Sequence, residues 1–191
     1  MIETVEAFVP HATVAVKPVT VEDLWQMSSA GRYELLEGAL ITLSPTSGRH
    51  GIVEIRFGHS IREYLKRNPV GEVMGGDPGF ILSRNPDTVR APDVAFLVNE
   101  KIERVPRKGF MPFPPDLVVE VVSPGDSFTE VTAKVAQWLE AGTRTVWVAD
   151  EERKKIHVYE GGRTSILHEG DTLTGGDVLP GFAVPVAEFF P

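Results

Sequence analysis

Cysteine is absent from all 191 residues. That absence excludes disulfide scaffolds, thiolate-ligated zinc, iron–sulfur clusters and thiol catalysis together. Long apolar runs are lacking too. The most hydrophobic stretch, LVVEVV at 117–122, is short and carries a carboxylate, whereas a membrane-spanning helix needs roughly 18 apolar residues or more. Positive charge is in deficit: 19 Lys and Arg stand against 27 Asp and Glu, for a net charge of −8. Proteins that coat nucleic acid non-specifically carry the opposite sign, so any phosphate contact here must be local. The N-terminus, MIETVEAFVP, has acidic residues where a secretory signal has basic ones, and no apolar stretch follows. The expectation is a cytoplasmic protein with no membrane partner.

What remains is an ordinary globular composition, 42% hydrophobic and 24% charged, in a length that suits one domain of about 100–200 residues. Residues 1–19 read as an irregular, proline-punctuated arm, and 20–191 as a single domain. A short helix follows Thr20, and YELLEGALITL (33–43) reads as a hairpin turning at Glu37-Gly38. A long helix over about 49–67 places Val53, Phe57, Ile61, Tyr64 and Leu65 on one face. His50 falls among those apolar residues. Strands are expected at 71–76, 79–83, 90–98 and 116–123, followed by a helix from Ser127 to Ala141 and further strands to His168. The basic, proline-rich segment 99–115 reads as a loop with a mobile centre. Interleaved strands and helices indicate an α/β fold with a mixed central β-sheet flanked by helices.

Two acids stand out. Glu120 sits in the middle of the apolar strand 116–123, and Asp93 repeats the pattern within APDVAFLV. Burying an unpaired charge costs several kcal/mol, so each needs a cation, a partner or a proton. Two such acids on two core strands suit a hard divalent cation, which prefers oxygen ligands; paired structural acids are the alternative. Lys134 lies about 40° around its helix from Trp138, on the shoulder of the apolar stripe. Its stem can run beside the sheet and carry an ammonium to the carboxylates. Other schemes lack their residues: there is no G-x-S-x-G elbow, no phosphate-binding glycine pattern, and no zinc-ligand spacing among the five histidines.

Taken in order, YELLEGALITLSP (33–45), His50 opening the long helix, APDVAF (91–96), DLVVEVVSP (116–124), Lys134 and TVWVAD (145–150) resemble the PD-(D/E)XK nuclease superfamily, in particular its bacterial Uma-type restriction-endonuclease family. The superfamily pattern places lysine two residues after the second acid, where this chain has Val122; Lys134 matches the position to which the Uma-type lysine is thought to have moved. The resemblance implies a restriction-endonuclease-like fold and Mg²⁺- or Mn²⁺-dependent phosphodiester hydrolysis, with DNA the expected substrate. It implies that Asp93, Glu120 and the carbonyl of Val121 hold the ion and that Lys134 orients water or stabilises the transition state. Glu37 could add a ligand, against the plain reading of a turn carboxylate. His50 could contact the phosphate or assist proton transfer, against that of a hydrogen-bonded structural residue.

The rival expectation is a non-catalytic assembly or nucleic-acid-binding protein that keeps the nuclease scaffold, with Asp93, Glu120 and Lys134 as a buried ion cluster. Phosphate contacts could come from Arg49, Arg56, Arg62, Lys66 and Arg67 on the long helix, interrupted by Glu54 and Glu63, or from RVPRK at 104–108. The apolar C-terminus, FAVPVAEFFP, could pack on its own sheet or on a second copy, and a homodimer would suit two-strand cleavage.

Overall fold

The computed structural model describes residues 17–27, 31–123 and 125–191. The expected N-terminal arm lies outside these up to residue 16. Helix α1 (Val21–Met27) precedes the hairpin of β1 (Tyr33–Leu36) and β2 (Ala39–Thr42). The hairpin turns where the sequence suggests, with Glu37 and Gly38 both at positive φ (49° and 80°), the pairing that a two-residue turn between twisted strands requires. Helix α2 (Gly48–Leu65) is followed by β3 (Gly71–Gly75), β4 (Phe80–Ser83), β5 (Thr88–Arg90), β6 (Val94–Val98) and the short helix α3 (Asn99–Ile102). Then come β7 (Leu117–Val122), α4 (Phe128–Glu140), β8 (Thr145–Asp150), β9 (Lys155–Glu160), β10 (Arg163–His168), β11 (Thr172–Gly175) and β12 (Leu179–Pro185).

The main sheet has the order β10-β9-β8-β7-β6-β3 and is mixed: β7 and β8 run parallel, and the other pairs are antiparallel. A smaller sheet has the order β2-β1-β5-β4, and β11 pairs with β12. The expected strand at 90–98 is in fact two. Pro92 cannot donate to a ladder, and the backbone N–H of Ala91 turns to Glu34 Oε1 at 2.9 Å. The chain therefore leaves the small sheet at Arg90 and enters the large one at Val94. Asp93 sits at that crossing.

Side chains alternate across β7, so its two faces are buried under different helices. Val119 and Val121 pack with Val53, Phe57 and Ile61 of α2, while Val118 packs with Val135 and Trp138 of α4. Ser47 caps α2 by accepting from the His50 N–H at 3.2 Å. A reciprocal Ser127–Glu130 capping box starts α4, and Gly142 (φ 106°) lets the chain leave it. The C-terminal segment folds back onto its own core: Phe189 stacks on Phe57 at 4.1 Å between ring centres, and Phe182, Val186 and Phe190 join the same cluster. The segment expected to be mobile is anchored, since Met111 exchanges backbone hydrogen bonds with Gly79 and Ile81, and both Met111 and Phe113 are buried.

Candidate active site

The C-terminal end of β7, the start of β6, the N-terminal turn of α2 and the middle of α4 meet at a solvent-open cleft of about 560 Å³. Alternation along β7 points Glu120 toward α4. There Lys134 Nζ donates to Glu120 Oε2 at 2.8 Å, and Trp138 Nε1 donates to Oε1 at 2.7 Å. Lys134 also lies 3.5 Å from Glu34 Oε1. Burial pushes the Glu120 carboxyl up to about 7; Lys134 pulls it down, and Asp93 and Glu34 push it up again. Burial works against the Lys134 charge, but Glu120 and Glu34 outweigh it and hold the ammonium above the usual lysine range. Lys134 is therefore a fixed cation near neutral pH.

Asp93 is held from two sides. Its Oδ2 accepts the Val121 N–H at 2.7 Å, and its Oδ1 lies 3.0 Å from His50 Nε2. His50 Nδ1 faces the Ser123 hydroxyl at 3.2 Å. Burial lowers the imidazole pKa, but the hydrogen bond and charge of Asp93, with Glu54 and Asp126, more than reverse this and raise it. One turn along α2, burial together with Asp93 and Asp77 raises the pKa of Glu54.

Asp93, Glu120, Lys134, His50 and Val121 all line this cleft. Glu37 does not. It is exposed in the β1–β2 turn, where its backbone N–H donates to Thr88 Oγ1 at 3.1 Å. The acid this hairpin brings to the cleft is Glu34, which is buried and accepts from Arg90 at 2.5 Å. Arg90 is fixed in turn by Gln137 Oε1 at 2.8 Å. Glu34 is absent from the residues expected at the site, although it carries the signal that marks Asp93 and Glu120: a carboxylate inside an apolar strand.

The expected phosphate-binding face of α2 is largely committed to internal contacts. Arg49 pairs with Glu151, Arg62 with Glu72 and Lys66 with Glu63, while Arg56 donates to the carbonyls of Glu188 and Phe190. In the 104–108 stretch, Arg104 lies over the Phe113 ring at 5.0 Å.

The donor set suits a hard divalent cation. Six carboxylates line the cleft against three permanent cations, Arg32, Arg90 and Lys134. Glu120 Oε2, Glu120 Oε1 and Asp93 Oδ2 each accept one hydrogen bond, and Asp93 Oδ1 lies 3.0 Å from His50 Nε2, which leaves the carboxylates further lone pairs for an ion. Among the described residues, no helix is long and apolar enough to cross a membrane.

The fold agrees with a known structure. A solved structure titled as a putative nuclease belonging to DUF820, from Anabaena variabilis ATCC 29413, superposes with a TM-score of 0.77. The match covers 90% of this chain and 97% of that one at 18% sequence identity, so the likeness is one of fold. No curated protein matches the sequence. The sequence profile of the Uma2 family, described as "Putative restriction endonuclease", matches residues 21–187, nearly the whole chain, and the chain belongs to that family.

Proposed function

We propose that the protein is a metal-dependent nuclease that hydrolyses phosphodiester bonds in DNA at the cleft between β6, β7 and α4. The observation that carries this reading is the convergence of Asp93 and Glu120, from two adjacent core strands, with Lys134 from the following helix at one solvent-open cleft. In this reading Asp93, Glu120 and the carbonyl of Val121 hold Mg²⁺ or Mn²⁺. Such an ion supplies Lewis-acid stabilisation of phosphate charge and lowers the pKa of bound water. It also answers an electrostatic requirement, because a polyanion entering this cleft meets more carboxylates than permanent cations.

The chain's own residues have distinct tasks. Lys134 remains an ammonium, so it serves to orient water and to stabilise negative charge building on the phosphate, not to remove a proton. Trp138 fixes Glu120, and the Val121 N–H fixes Asp93, so both carboxylates are oriented before substrate arrives. His50 holds the other Asp93 oxygen and can hand on a proton at Nε2. Glu34, locked by Arg90, positions Lys134 from the far side.

The test is cleavage of supercoiled plasmid in Mg²⁺ or Mn²⁺ by the wild type, Glu120→Gln and Lys134→Met. Losses of about a hundredfold or more are expected for each variant, in line with removing a preorganised charge from a transition state. Near-normal metal-dependent cleavage by Glu120→Gln would remove that residue from the mechanism. The same ion pairs would also serve a non-catalytic scaffold, since Lys134 is already paired with Glu120 and Glu34. Wild type that binds DNA without cutting it would favour that second reading.

A further inference from the structure

The three permanent cations of the cleft are not equally engaged. Lys134, with 26% of its side chain exposed, lies between Glu120 and Glu34. Arg90, at 9%, is closed in by Glu34 and Gln137. Arg32 stands at 41%, and among the described residues its guanidinium pairs with Asp77 alone. Two of the three charges are thus spent on buried acids, while the third lines the cleft within reach of solvent.

Local structure brings this pair together from two sheets. Arg32 immediately precedes β1, and its carbonyl accepts the Leu43 N–H at 3.0 Å, which ties it to the far end of the hairpin. Asp77 lies on the connection from β3 to β4, where Gly76 and Asp77 both take left-handed backbone, with φ of 81° and 56°. Aspartate is among the few residues with a side chain that tolerate this conformation. Here it carries the carboxylate to a partner 45 positions back along the chain.

Asp77 is nevertheless a weak holder. Burial pushes its carboxyl above the ordinary aspartate value; Arg32 pulls it down, but Asp93 pushes it up again. An ion pair this exposed also contributes little. A phosphate, by contrast, meets the planar guanidinium fork with two oxygens and two parallel N–H···O bonds.

We infer that Arg32 anchors a backbone phosphate of DNA at the cleft, and that Asp77 occupies the guanidinium until DNA displaces it. The inference rests on the nuclease reading for the identity of the ligand, but not on cleavage, since an anchor binds whether or not a bond is cut.

The test is fluorescence anisotropy of a short labelled DNA duplex, titrated with the full chain in Ca²⁺ at several salt concentrations, with plasmid cleavage in Mg²⁺ run beside it. Arg32→Met should bind about tenfold more weakly, with a salt slope shallower by roughly one phosphate contact. Arg32→Lys, which keeps the charge and loses the fork, should fall between Arg32→Met and wild type. Asp77→Asn should bind about threefold more tightly. That gain should vanish in Arg32→Met/Asp77→Asn, because Asp77 acts through Arg32. All four variants should keep the wild-type thermal melt, as the pair is exposed. Arg32→Met that binds like wild type with an unchanged salt slope overturns the anchor, and so does wild type that binds no DNA. A gain from Asp77→Asn that survives without Arg32 marks general repulsion and overturns the part given to Asp77. DNA that is bound through Arg32 but not cut supports the anchor and moves the failure to the nuclease reading.

Discussion

Replacing Trp138 by phenylalanine separates two contributions that one side chain makes. The indole is fully buried in the cluster beneath α4, edge-on to Phe80 at 6.0 Å, and its Nε1 donates to Glu120 Oε1 at 2.7 Å. Trimming indole to phenyl removes about two buried carbons, worth about 1.6 kcal/mol at roughly 0.8 kcal/mol each, plus a term for the small cavity left behind. That part does not depend on pH. The hydrogen bond does, because a bond to a charged acceptor contributes about 1.5–3 kcal/mol and one to a neutral acceptor about 0.5–1.5. In the folded protein Glu120 titrates at about 7 against an ordinary value of 4.5. The folded state thus holds this proton more tightly than the unfolded chain. Its stabilisation is complete below 4.5 and is lost as pH rises through 7. Urea denaturation at pH 5.5 and 8.5 should show Trp138→Phe costing about 1 kcal/mol more at the higher pH. An equal cost at both values would mean that Trp138 does not serve the ionised carboxylate.

Arg90→Met should cost about 3–5 kcal/mol in urea denaturation, because it strands the buried Glu34, while the double change Glu34→Leu/Arg90→Met should recover most of that loss. Arg56→Ala should destabilise by about 1–2 kcal/mol through loss of its bonds to the C-terminal carbonyls and leave the salt dependence of DNA binding unchanged; a shallower salt slope would return Arg56 to the nucleic-acid face. Glu120→Gln/Lys134→Met keeps an acceptor for Trp138 while removing both charges, so cleavage should be lost with stability at pH 8 within about 1 kcal/mol of wild type. A loss of several kcal/mol there would make the cluster a structural one.

Local chemistry wrote much of the architecture legibly. The hairpin at Glu37-Gly38, the amphipathic stripe of α2, the Ser127 cap and the doubly buried β7 each follow from neighbours a few residues apart. No strand is expected beyond His168, yet β11 and β12 form there and carry Leu173, Leu179 and Phe182 into the core. Their glycines and prolines blur the alternation that marks a strand, and pairing across the Gly176–Val178 turn is irregular at Thr174/Gly175. The break at Pro92 was visible as a residue type. Its consequence, a change of sheet, depends on Glu34 receiving the freed Ala91 N–H from 57 positions away.

The candidate site is legible wherever a charge contradicts its own strand, and obscure wherever a partner arrives from far along the chain. Asp93 and Glu120 violate an apolar pattern and can be found from that alone. Glu34 violates it too, but its strand is four residues long, and Glu37 beside a turn glycine is the more conspicuous carboxylate. What distinguishes them is Arg90, 56 residues later, which neutralises one and does not reach the other. Trp138 reads as packing because its apolar bulk accounts for its place in the stripe; only the pairing of β7 beneath α4 gives its N–H a carboxylate. Glu54 reads as an interruption of a basic helix face, yet it stands one turn from His50 and faces Asp93. In each case the residue's chemistry is set by partners that only the fold brings to it, not by any one segment. A close-packed apolar cluster of the same volume would avoid the desolvation that raises Glu120 to about 7. Stability alone therefore gives no reason to concentrate six carboxylates and Lys134 at one solvent-open cleft, and divalent-ion chemistry does.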